Sequence, residues 1–340
     1  MLVLSICDFC YIFVQTIGLL SLLCNFTLIS LFFACPLKKV KSYKFFFLLT
    51  AINDVFISIT HGLSLPRVVY MKSYFIIYST PTLGQPVMVN WIALIMLALS
   101  ITATVVLLTY SFIYRYLQLC RSDYLEPFLI KKTMMSLALL GVVYPSNVWI
   151  FLIVVYSHDS QFVIDTQEVS SIVGVDINNA VIIGFSLKKS LNGTQKAVTI
   201  EIYLFTFIMF MISAICALNI ASFLKNSTLS KTSLAHYRRM FFLLLVQTAC
   251  PTLLMFLPLL AATIAIFGGV DTPLFYADCV DMAFSLAALF NPLIIIAFLG
   301  EYRNFILHKL GLNKRSLPLQ AVNLKVLPLQ RHFRTSSTQY

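Results

Sequence analysis

Seven long apolar runs separated by short polar breaks organise this chain. They cover residues 12–35, 45–65, 87–113, 133–156, 202–224, 240–267 and 274–299. Each reaches the roughly 20 residues that a helix needs to cross the hydrocarbon of a bilayer. Within each run apolar residues follow one another instead of alternating, which excludes the strands of a membrane barrel. Helices and closed barrels are the architectures that leave no backbone group unpaired in lipid, so helices remain. Five of the runs carry no charge; the second holds Asp54 and His61, the seventh Asp278 and Asp281 near its start. The pattern predicts an all-α membrane protein, a bundle of seven transmembrane helices.

Composition strengthens that reading. Hydrophobic residues make up 59% of the 340 and charged residues 11%, against about 25% in soluble domains. That is too little charge to hydrate a surface, so apolar surface must face lipid. The net charge of +11 does not signal nucleic acid, because the basic residues sit in the breaks between apolar runs. Nineteen of the 24 lysines and arginines fall on one side, including Lys38, Lys44, Arg115, Lys132, Lys231, Arg239 and Arg303. The other side holds Arg67, Lys72, Lys188, Lys189 and Lys196. Positive charge stays cytoplasmic, which puts the N-terminus outside and the C-terminus inside.

The longest outer segment, residues 157–201, contains Asp159, Asp165, Glu168 and Asp176, and also the sequon Asn192-Gly193-Thr194. Asn192 is therefore the candidate glycosylation site. The sequons at Asn25 and Asn226 fall in a span and on the inner side. The first ten residues lack a basic stretch and a small-residue cleavage site, so the first span is expected to act as its own membrane signal. The organisation expected is a short extracellular N-terminus (1–11), the bundle (12–299), an amphipathic helix on the membrane surface (300–311) and a disordered cytoplasmic tail (312–340). Tyr302, Phe305, Ile306 and Lys309 repeat at the helical spacing in the third of these.

Chemistry of the catalytic kind finds no support. No HExxH or GxSxG motif occurs, no metal or other cofactor is implied, and the last span has no lysine for a Schiff base. Polar groups inside spans are costly and therefore informative. Asn25 lies in the first span, Asn53 and Asp54 in the second, Asn291 in the seventh. A buried carboxylate needs donors, and Asn25 and Asn291 would supply them if the three helices are neighbours. The cluster reads either as a polar switch between two states or as interhelical glue. Pro145, Pro251, Pro258 and Pro292 interrupt the fourth, sixth and seventh spans, kinking helices that either move or merely shape a cavity. At the inner end of the third span stands Tyr114-Arg115-Tyr116, which physics alone leaves open between an interfacial anchor and a functional group.

Family resemblance separates those readings. Tyr114-Arg115-Tyr116 looks like the counterpart of the acidic-Arg-Tyr motif of rhodopsin-like receptors. More closely, Phe112 to Tyr116 resembles nematode serpentine chemoreceptors of the Str superfamily, classes r and d. The same holds for Ser42-Tyr43-Lys44, Val246-Gln247-Thr248 with Pro251 and Pro258, Asn291-Pro292-Leu293-Ile294-Ile295 and Glu301-Tyr302-Arg303. The resemblance implies a G-protein-coupled-receptor-like bundle detecting small chemicals at the plasma membrane, usually on sensory-neuron cilia, with a heterotrimeric G protein as partner and no enzyme activity. Carried over by position, Arg115, between Tyr114 and Tyr116, would gate G-protein access at the inner face, and Asn291-Pro292 would be the hinge of the seventh span. Asn25, Asp54 and Pro258 join them as candidate switch residues on the reading of polar groups and prolines above. Rhodopsin-like receptors often bridge the third span to the second outer loop; here no cysteine lies between residues 121 and 215, so that bridge cannot form. A bridge from Cys7 or Cys10 to Cys279 stays open. The small-molecule ligand is expected between the outer halves of spans three, five, six and seven, with Asn90, Trp91, Tyr203, Phe207, Asp278 and Asp281 as candidate contacts. The rival readings are a seven-helix ligand-gated odorant channel, with the opposite orientation, and a small-solute transporter.

Overall fold

The computed structural model describes residues 6–35, 44–71, 74–79, 86–121, 147, 180–186 and 193–309. In chain order these form α1 (Ile6–Ala34), α2 (Lys44–Ser64), β1 (Arg67–Met71), β2 (Tyr74–Ser79), α3 (Val87–Cys120), β3 (Val181–Ser186) and α4 (Gly193–Asn226). Then follow α5 (Lys231–Pro251), a π-helical turn (Thr252–Phe256), α6 (Leu257–Phe267), α7 (Leu274–Phe298) and α8 (Gly300–Lys309). Among the described residues six helices are long and apolar enough to cross a membrane, α5 and α6 counting as one through the π turn. The fourth expected span, with Pro145, lies outside the described residues except for Asn147; Asn192 of the sequon and residues 310–340 of the tail lie outside them too.

α1 packs on α2 and α7, α2 on α3 and α7, α3 on α4, and α5 on α7. Apolar side chains cover both faces of these helices: Ile57, Leu97 and Ala288 close the centre, whereas Leu23, Phe33 and Leu218 are exposed. In water such exposure would drive aggregation; in lipid it is the solvated face. Hydroxyls in the spans are satisfied within their own helix. Ser58, Ser100, Thr109 and Thr248 each donate to the carbonyl four residues back, at 2.8–2.9 Å. Others cross between helices: Ser21 and Ser58 share a bond of 2.8 Å, and Asn53 donates to the Ser100 carbonyl at 3.1 Å and to Thr104 at 3.0 Å. These bonds fix the register of α1, α2 and α3, which apolar contact alone leaves loose in a membrane.

The sequence did not announce the sheet at the outer end. β1, β2 and β3 pair antiparallel in that order, with Val69 opposite Ile76 and Ile77 opposite Ile183. Its two faces are both apolar, as the period of two requires. Val69, Tyr74, Ile76 and Tyr78 pack on Ala277 at the head of α7; Phe75, Ile77, Val181 and Ile183 pack on Leu94 of α3. The sheet is thus wedged between the two helices. The chain enters it through Leu65, held at a φ of 38°, a left-handed helix terminus usually left to glycine. Leu65 is buried against Cys10 and Val14 of α1, and that burial offsets the strain. The free edge of β1 is closed by the α6–α7 turn: the Tyr70 N–H donates to Thr272 Oγ1 at 2.7 Å. In return the Thr272 N–H donates to the Tyr70 carbonyl at 2.7 Å.

The sixth span departs from a plain helix. Pro251 closes α5, and the Leu257 N–H reaches back five residues to the Thr252 carbonyl, which makes the intervening turn π-helical. Pro258 then contributes no donor; its carbonyl instead accepts a bond of 2.6 Å from the Tyr276 hydroxyl of α7.

Candidate functional site: an outer cavity and an inner polar centre

Between the outer ends of α2, α3, α6 and α7, beneath the sheet, lies a cavity of about 150 Å³. Leu94, Leu97, Ala98, Ile101, Leu259, Val280 and Phe284 give it apolar walls, and Val68, Ile77 and Ile183 of the three strands roof it. Among the described residues two polar side chains face this otherwise apolar space, His61 of α2 and Asp281 of α7. Their Nε2 and Oδ1 atoms are 2.7 Å apart and both side chains are almost wholly buried. The His61 ring stacks on Phe284, with centroids 6.2 Å apart and planes 11° from parallel. One turn earlier on α7, Asp278 meets Arg67 of β1 at 3.1 Å, so one acid secures the sheet to α7 while the other faces the cavity.

Two turns further inward the same helices meet again. Asn291 of α7 donates from Nδ2 to Asp54 Oδ2 of α2 at 2.7 Å, and its Oδ1 accepts from Gln247 of α5 at 3.4 Å. Asn25 joins from α1, but by a different partner from the one expected: it donates to the Ala288 carbonyl at 3.3 Å and to the Ser21 carbonyl at 3.0 Å. A void of about 20 Å³ beside Asp54 is bounded by Asn53, Thr104, Pro251, Met255 and Asn291, about the room one water molecule needs. Pro251 and Met255 place the start of the π turn at this centre. Pro292 is buried in α7 beside it.

At the inner end of α3, Arg115 is buried, at 4% exposure. Its Nη1 donates to Gln118 at 2.9 Å, and Ile220 of α4 with Tyr237, Met240 and Phe241 of α5 lie over it. Tyr114 is buried and stands 5.5 Å from the Phe46 ring of α2, and Tyr116 packs against the cluster of Phe112, Cys216 and Leu244. α5 therefore covers the arginine in this conformation.

Of the candidate ligand contacts, Asp281 lines the cavity, and Trp91 packs behind its wall with Leu94 and Ile183. Asp278 is held by Arg67, and Asn90 is fully buried near the start of α3. Tyr203 and Phe207 are 49% and 61% exposed and lie off the cavity. Where the fifth span was expected to contribute, α2 and the sheet do so. The residues sequence reasoning missed are His61 and the roof strands; His61 carried a signal, as a titratable group inside a span. Cys10 and Cys279 are both free thiols, so the bridge left open between the N-terminus and Cys279 is not present. Cys10 is buried, with Sγ 3.8 Å from the Asp278 carbonyl.

A helical membrane bundle with an outer cavity, a polar centre and an arginine covered at its inner end has the architecture of a seven-transmembrane receptor. The model of the family described as serpentine type 7TM GPCR chemoreceptor Str matches residues 10–307, and the chain belongs to that family. A crystal structure of squid rhodopsin superposes with a TM-score of 0.55, covering 89% of this chain and 84% of that one at 14% identity. At that identity the likeness is one of fold. A comparison with curated proteins gave no match.

Proposed function

We propose that this chain detects a small external chemical in the outer cavity and transmits its occupancy to a heterotrimeric G protein at the inner face. The carrying observation is that α2 and α7 are joined by polar contacts at two levels, His61–Asp281 at the cavity and Asp54–Asn291 at mid-membrane. A ligand that alters the first contact changes the alignment of two helices that also hold the second. Asn291 is bonded in turn to Gln247 of α5, the helix whose inner end covers Arg115. Displacing α5 about its junction with the π turn would uncover Arg115 for a partner. The charge distribution supports an orientation with the N-terminus outside, in the plasma membrane, and the family supports a sensory cilium as the site of action.

The test is a second-messenger assay on the full chain expressed with a promiscuous G protein, screened against small volatile and metabolite ligands. Arg115→Ala should abolish the response with surface expression near normal. A ligand-evoked current that persists without any G protein, or a response indifferent to Arg115→Ala, would overturn the reading.

A further inference from the structure

The outer cavity carries information about what it admits, provided it is the ligand site. We propose that its occupant is a compact apolar amine, about the size of one six-membered ring, whose protonated nitrogen is received by Asp281.

Size comes from the volume. A cavity of about 150 Å³ matches those that take a single benzene-sized molecule. Leu97, Ile101, Leu259 and Phe284 would enclose an apolar body and offer it nothing to bond. Charge comes from the two ion pairs found at the cavity and at the head of α7 above it. Asp278 and Asp281 oppose one guanidinium, Arg67, and one imidazole, His61, so with both acids ionised their sum is negative or zero and never positive. Arg67 is engaged by Asp278 at 3.1 Å and does not line the cavity. Among the described residues the cation that could face an anionic ligand here is a protonated His61, and Asp281 already holds it at 2.7 Å.

Hydrogen-bonding capacity narrows the choice among neutral and cationic molecules. An ionised carboxylate is acceptor-only, with room for about four donors. Among the described residues the polar contact of Asp281 is His61, made at Oδ1, and the side chain is 2% exposed. Aldehydes, ketones and esters bring acceptors and no donor. An alcohol brings one donor and no charge. An ammonium brings three donors and the charge that a buried carboxylate calls for, and burying a charge is tolerated only against such a partner.

Direct binding tests this without any G protein. The purified full chain in lipid nanodiscs is titrated with cyclohexylamine, cyclohexanol, cyclohexanone and cyclohexanecarboxylate, and thermal stabilisation against concentration gives each affinity. Cyclohexylamine should bind at least tenfold more tightly than the other three. Asp281→Asn should weaken the amine at least tenfold and leave cyclohexanone unchanged. Ala98→Leu, which narrows the cavity and touches no charge, should weaken the amine with Asp281 intact; it decides the location if Asp281→Asn fails to fold. Equal binding of the alcohol, ketone or carboxylate, or an amine affinity indifferent to either variant, overturns the proposal. Amine binding with no second-messenger response would instead refute the G-protein reading and leave this one standing.

Discussion

Replacing Asn291 by leucine is the sharpest perturbation of the polar centre. The change keeps the volume of the side chain roughly constant and removes two bonds, the 2.7 Å donor to Asp54 and the 3.4 Å acceptor of Gln247. The second is too long to contribute much. The first is short and charge-assisted when Asp54 is ionised, a class worth about 1.5–3 kcal/mol, while polar contacts between membrane helices average nearer 0.6 kcal/mol. Asp54 is 4% exposed, so bulk water cannot replace the lost donor, and the cost should sit toward the upper figure, about 2 kcal/mol. Asp54→Asn leaves an amide oxygen for Asn291 to bond and should cost about half as much or less. Removing both groups, as Asp54→Leu with Asn291→Leu, leaves no orphaned carboxylate and should cost less than the two single changes added together.

The free thiols supply the assay. Cys10, Cys35 and Cys216 are buried and become reactive toward a fluorogenic maleimide when the bundle opens. At roughly 2–4 °C per kcal/mol, Asn291→Leu should lower the apparent melting temperature of the detergent-purified chain by about 4–8 °C. Heating is irreversible for such proteins, so all variants are compared at one scan rate. Melting of Asn291→Leu together with wild type, or a double variant destabilised by the full sum, would show that the 2.7 Å contact does not hold α2 to α7.

Thr272→Val removes the acceptor of the buried Tyr70 N–H at the edge of β1 and should cost about 1–3 kcal/mol. Thr272→Ser should restore it, and hydrogen exchange at residues 67–71 would rise in the first variant and return in the second. Equal exchange in both would mean that the clasp does not secure the sheet. Tyr276→Phe deletes the 2.6 Å bond to the Pro258 carbonyl and should lower stability by about 1 kcal/mol in the same thiol assay; an unchanged melting curve would assign that carbonyl another partner.

The helices were legible as spans because lipid demands length and continuity, yet their ends were not. α3 runs on to Cys120, α4 begins at Gly193, and α5 begins at Lys231, where Ser230 caps it through the Ser233 N–H. Hydropathy reports where hydrocarbon stops, whereas backbone bonding continues through the interface, where Lys231 and Arg238 are well solvated. The sheet escaped notice for a different reason. β1 and β2 are five and six residues long, and β3 arrives more than a hundred residues later, so the pairing that defines the sheet is non-local. Pro251 and Pro258 marked a break in the sixth span, but a π turn depends on which carbonyl the Leu257 N–H finds, and that is settled by packing.

The site was legible only through its polar members, and the reason lies in the solvent. In water an amphipathic helix announces its inner face by the polarity of the outer one. In lipid both faces are apolar, so an aromatic residue says nothing about direction: Tyr203 and Phe207 read as plausible contacts and are exposed outside the cavity lining. A polar side chain does report direction, because leaving it in hydrocarbon is costly and it turns inward to a partner. Asn25, Asp54, Asp281 and Asn291 all do so, and Asp54 and Asn291 meet at 2.7 Å. The same rule, applied to the remaining titratable groups of spans two and seven, leaves His61, Asp278 and Asp281; Arg67 takes Asp278, and the pair of His61 with Asp281 marks the cavity.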